Sequence, residues 1–97
     1  MDKRPEYNTV IPPKVLKDRI IGNLAKLVYG EIGGATDNNG RCELRDVQMG
    51  EWLNKSHRAI HRAILNLHKA GYVEVGLTAK GNRFLKPLVR PYRWDQV

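Results

Sequence analysis

Between Ser56 and Gly71 the chain reads HRAIHRAILNLHKA, and this segment constrains the fold more tightly than any other. At about 100° per residue, Ile60, Ala63, Ile64 and Leu67 form one helical stripe, while Arg58, Arg62, Leu65 and Lys69 lie opposite. His57, His61 and His68 share one flank. Ser56 is a natural N-cap and Gly71 a natural C-terminal stop, so the spacing predicts a helix over 57–70. A helix with one apolar side must be anchored to a core, and this one turns its basic side outward. No acidic residue interrupts the chain between Glu51 and Glu74. Such a helix suits the DNA major groove, which is wide enough to admit it. An ordinary amphipathic surface helix with a solvated basic face has the same pattern.

The charge distribution bears on that choice. The 97-residue chain has a net charge of +7. Residues 1–54 carry eight Lys/Arg and eight Asp/Glu, whereas residues 55–97 carry nine Lys/Arg against only Glu74 and Asp95. The whole excess therefore lies in the part that contains the basic helix. A localised basic field points to a polyanion, either nucleic acid or an anionic membrane surface. No apolar run approaches the ~18–20 residues of a membrane span, and the first residues lack the apolar stretch of a signal peptide. A single cysteine, Cys42, excludes an intramolecular disulfide and any cysteine-pair metal site. These features lead us to expect a cytoplasmic, nucleoid-associated protein without a membrane partner.

The rest of the chain reads as one domain over 1–97, with a loose N-terminal arm at 1–8 and a tail at 90–97. Pro12-Pro13 suits a short turn over 13–18. Asn23 can cap a helix in which Leu24, Leu27, Val28 and Ile32 face inward, with Ala25 and Tyr29 widening the stripe. Residues 33–40 are a loop by composition. Asp46 can cap a second helix over 47–53, with Met49, Gly50 and Leu53 facing inward and Trp52 outward. There Trp52 either packs on the arm or serves a partner surface. Asn54 tolerates the left-handed backbone of a tight turn. After Gly71, residues 72–75 alternate like a strand, Lys80-Gly81-Asn82 signals a turn, and Arg83-Phe84-Leu85 returns. A helix opening at Thr78 is the competing reading, and the hairpin is preferred. Pro87 limits the returning strand. The predicted class is α+β, mostly α, with three core helices and a C-terminal hairpin.

Residues 44–72, LRDVQMGEWLNKSHRAIHRAILNLHKAGY, resemble the winged helix-turn-helix of bacterial and phage transcriptional regulators and replication initiators. Met49-Gly50 stands for the apolar-small pair, Asn54 for the turn glycine, and Ile60, Ile64 and Leu67 for the anchors. Upstream, Val10-Ile11-Pro12 and residues 23–32 are similar to the N-terminal helix of phage and plasmid replication-initiator domains. Arg45 departs from the pattern, since a small hydroxyl residue is common there, and the wing region is short. The resemblance implies a winged helix that binds double-stranded DNA, as a homodimer or on repeated sites, in replication initiation or transcriptional regulation.

In that reading, helix 57–70 enters the major groove and the wing near 78–84 follows the backbone. The candidate DNA-binding residues are Arg45, Lys55, Ser56, His57, Arg58, His61, Arg62, Lys80, Asn82 and Arg83. The rival function is a winged helix used as a protein-interaction module, such as a phage-encoded inhibitor of a host protein. Trp52, Leu65 and the aromatic tail, with Tyr92 and Trp94, would then be its anchors. Cys42 reads as a small core residue. No phosphate-binding glycine loop, metalloprotease signature or Ser-His-Asp arrangement is present, so neither enzyme activity nor a cofactor is expected.

Overall fold

A computed structural model describes residues 11–37 and 39–88. The arm at 1–8 and the tail at 90–97, with Tyr92 and Trp94, lie outside the described residues. Among the described residues, four helices precede an antiparallel hairpin: α1 (Pro13–Leu16), α2 (Asn23–Gly34), α3 (Asp46–Leu53), α4 (His57–Lys69), β1 (Val73–Leu77) and β2 (Arg83–Pro87). The class is α+β and mostly α.

Helix α4 is central because its apolar stripe is continuous. Ile60, Ala63, Ile64 and Leu67 are all buried, and α4 packs on both α2 and α3. From α2 come Ala25, Val28, Tyr29 and Ile32, and from α3 comes Met49. The expected α2 stripe needs one correction. Leu27 is 47% exposed, and the inward face is instead completed by Ala25 and Tyr29. The cap of α2 also differs, because Gly22 takes that position with φ 67° and Asn23 is already helical. At its other end α2 continues through Gly33 and Gly34, which composition alone assigns to the following loop. Burial of Ile32 beside them offsets the roughly 1 kcal/mol per residue by which glycine disfavours a helix.

The hairpin pairs Val73 with Pro87 through Leu77 with Arg83, and Val75 stands opposite Leu85. Pro87 closes β2, so its missing N–H costs the ladder nothing beyond its end. Beyond β2 lies a third, single-residue partner. Cys42 donates to the Leu85 carbonyl at 2.7 Å and accepts from the Leu85 N–H at 2.7 Å. Cys42 is fully buried, as a small core residue should be, and that burial pushes its thiol pKa up. β2 thus lies between Cys42 and β1, resting on α2, while β1 rests on α4.

On the outer face of the hairpin, Gly76 stands opposite Phe84. A Cβ at Gly76 would collide with the Phe84 ring. The Arg41 guanidinium lies 4.3 Å from the centroid of the same ring, a cation–π contact. A phenylalanine on the side away from the core is thereby left only 9% exposed.

At the far side, the Tyr72 hydroxyl donates to the Asp18 carboxylate and ties the end of α4 to the loop after α1. That bond, with the Ile20 N–H second to it, holds the Asp18 carboxyl below its ordinary value, and acceptance by Asp18 pushes the Tyr72 hydroxyl above its own.

Candidate functional site

The turn between α3 and α4 sets the exposed start of α4. Asp46, expected as the cap of α3, is instead its first helical residue, and Arg45 occupies the cap in an extended conformation. The Gln48 side chain reaches back and accepts from the Arg45 N–H at 2.9 Å. Arginine has no acceptor atom, so only this half of a capping box forms. Asp46 is thereby free to direct its carboxylate elsewhere.

At the other end of α3, Asn54 adopts φ 55° and ψ 49°, the left-handed region that asparagine tolerates. The chain then passes so close to Gly50 that an added Cβ would lie 2.5 Å from the Lys55 carbonyl oxygen. The Lys55 N–H donates to the Gly50 carbonyl at 2.9 Å and fixes this approach. Ser56 caps α4 as the sequence indicates, its hydroxyl accepting from the Ala59 N–H at 3.1 Å.

From this start α4 presents a basic ridge. Arg58, Arg62 and Lys69 are exposed, with Leu65 among them at 48% exposure. Among the described residues no acidic group pairs with Arg58, Arg62 or Lys69. On one side of the ridge, Arg62, Asn66 and Ala59 line a groove shared with Gly22 to Ala25 at the start of α2. On the other side runs the histidine flank. His61 Nδ1 lies 3.4 Å from Asp46 Oδ2, and His68 Nδ1 lies 3.0 Å from the Val73 carbonyl oxygen.

A larger groove of about 660 Å³ opens between the start of α4 and the hairpin turn. It is lined by Glu43 to Val47, His57, Asn82 and Arg83. The turn itself is closed by Thr78, whose N–H donates to the Asn82 carbonyl at 2.7 Å and whose hydroxyl accepts from the Asn82 N–H at 3.1 Å. Gly81 supplies the positive φ, 85°, that the turn requires.

The candidate residues therefore fall into three groups. Lys55, Ser56, His57, Arg58, His61 and Arg62 run along the exposed start of α4. Arg45, His57, Asn82 and Arg83 surround the large groove, while Lys80 is exposed in the hairpin turn. Arg83 is committed inside the domain. Its Nη1 donates to Asp46 Oδ1 at 2.7 Å and its Nη2 to the Leu44 carbonyl at 2.8 Å. Asp46 shapes this region, and sequence reasoning did not assign it there. Its partner, Arg83, lies too far along the chain for any local pattern to reveal it.

No protein-family model and no curated protein sequence matches this chain. Among the described residues, no group of three or more His, Cys, Asp or Glu could hold a metal ion. No helix there is long and apolar enough to cross a membrane.

Proposed function

We propose that this is a winged-helix protein that binds duplex DNA in replication initiation or transcriptional regulation. In this reading α4 lies in the major groove and the hairpin lies along the adjacent backbone. One observation carries the reading: the outward ridge of α4 holds Arg58, Arg62 and Lys69 without an acidic partner among the described residues. A merely solvated helix of this length gains by interleaving acids four residues from its bases. This helix contains none. Arg58, His57, His61 and Arg62 would meet base edges, where Arg reads guanine bidentately. Lys55, Lys80 and the start of α2 beside Arg62 and Asn66 would meet phosphates, which position the domain without reading sequence.

Leu65 supports a second reading. A half-exposed leucine among the cations of the ridge suits an acidic protein partner that covers the leucine and pairs with the arginines, and it suits a thymine methyl group as well. The test is fluorescence anisotropy on random duplex across a range of salt. Each phosphate neutralised by a Lys or Arg contributes about −0.9 to the slope of log affinity against log salt. Lys55 and Lys80 alone should therefore give a slope of about −2, and any further cation on phosphate a steeper one. Arg58→Ala or Arg62→Ala should cost about 1–3 kcal/mol on a duplex selected from a random library and less on unrelated sequence. Absent or salt-independent binding would leave the protein-interaction module as the better reading.

A further inference from the structure

Asp46 stands where α3, α4 and the hairpin meet, and its two oxygens serve different elements. Oδ1 accepts from Arg83 Nη1 at 2.7 Å, while Oδ2 lies 3.4 Å from His61 Nδ1. Arg83 is the first residue of β2, and its second guanidinium nitrogen is anchored on the Leu44 carbonyl at 2.8 Å. One carboxylate thus ties the base of the hairpin turn to the start of α3, close beside the His61 flank of α4. The joint is sheltered, with the Asp46 and Arg83 side chains 20% and 26% exposed. Charge-assisted, two-pronged arginine contacts hold direction as well as distance. The start of a helix is also where an aspartate is best tolerated.

We infer that Asp46 is a positioning residue that holds the hairpin at a fixed distance and angle from the basic ridge of α4. The inference deepens the duplex-binding reading and rests on it for its functional consequence. Arg83 would then act as a strut within the domain. Its charge is already answered by Asp46, and the phosphate contacts of the hairpin fall to Lys80.

The sign of one substitution separates this role from a passive one. An acid beside a DNA-binding face repels phosphates, so Asp46→Asn on charge grounds alone should tighten binding to every duplex and leave preference unchanged. If Asp46 positions the hairpin, the same change loosens the hairpin and erodes preference. The free protein is examined first by hydrogen exchange of Asp46→Asn, Arg83→Gln and the double variant. The Thr78 and Leu85 amides, which donate to the Asn82 and Cys42 carbonyls, report the hairpin. Each single variant should speed their exchange on the order of tenfold while α2 amides stay unchanged. The double variant should add nothing beyond the worse single, because both changes open one joint. Should Asp46→Asn fail to fold, Arg83→Gln decides the matter by the same readout.

Binding is then compared on a duplex selected from a random library and on random duplex. Faster hairpin exchange together with on the order of a tenfold loss of preference supports the role. Unchanged exchange overturns it, as does additive exchange in the double variant. Faster exchange with preference intact also overturns it. If the unaltered protein binds no duplex, the duplex-binding reading falls, and the exchange data alone decide whether Asp46 fixes the hairpin.

Discussion

Gly50→Ala sets two well-understood effects against each other. In an open helix, replacing glycine by alanine stabilises by about 0.8–1.0 kcal/mol. At Gly50 the new Cβ would lie 2.5 Å from the Lys55 carbonyl oxygen, roughly an ångström inside ordinary contact. The obstructing atom is backbone, and the turn that carries it is pinned by the Lys55 N–H on the Gly50 carbonyl and by Asn54 in a left-handed conformation. Relief therefore requires the start of α4 to move away from α3. Overpacking of this kind costs about 1–3 kcal/mol. Weakening the Lys55 hydrogen bond adds about 0.5–1.5 kcal/mol. With the propensity gain subtracted, we expect a net loss of about 0.5–3.5 kcal/mol. Urea denaturation measures it as a lower midpoint at an unchanged slope. A variant stabilised by about 1 kcal/mol would mean that α3 and α4 do not approach as described.

Three further outcomes are expected. Ile64→Ala, at a position 2% exposed, should destabilise by about 2–5 kcal/mol in the same melts, and a loss under about half a kcal/mol would mean that the stripe does not face the core. Asn54→Ala should cost roughly 1–2 kcal/mol because alanine is disfavoured at φ 55°, whereas Asn54→Gly should be near neutral; equal losses would contradict the left-handed turn. The Asp18–Tyr72 bond should give stability two pH limbs. Asp18 has a lowered folded pKa, so its contribution is complete above the ordinary 3.8 and disappears as pH falls through the folded value. Tyr72 has a raised one, so its contribution is complete below 10.0 and disappears as pH rises through the folded value. Tyr72→Phe should flatten both limbs of the melting temperature against pH, and limbs parallel to those of the unaltered protein would count against the bond.

The elements that sequence made legible are those governed by periodicity and local punctuation. The stripe Ile60, Ala63, Ile64 and Leu67, the Ser56 cap and the turn around Gly81 each declare themselves within a few residues, and the structure has them as read. The errors lie where distant groups compete for a residue. Asp46 looks like a cap because it precedes an apolar run. In the fold Gln48 satisfies the Arg45 N–H, and Asp46 is drawn to Arg83 and His61. Leu27 has helical spacing, yet Ala25 and Tyr29 fill the inward face and leave it outside. Arg83 illustrates the limit for the candidate site. Its charge was countable from the sequence, but the carboxylate that answers it lies in α3, far back along the chain.

The two-way bond between Cys42 and Leu85 also bears on the order in which the chain assembles. It joins residues on either side of α3 and α4, so forming it early would close a long loop at an entropic cost that a single pair of hydrogen bonds does not offset. Helices α3 and α4, by contrast, pack through contacts much closer along the chain. We therefore expect the bridge to be absent from the folding transition state and to form as one of the last events. Leu85→Ala should then speed unfolding with little effect on the folding rate, as read from the two arms of a chevron plot. A folding arm slowed in proportion to the lost stability would instead place this strand in the nucleus.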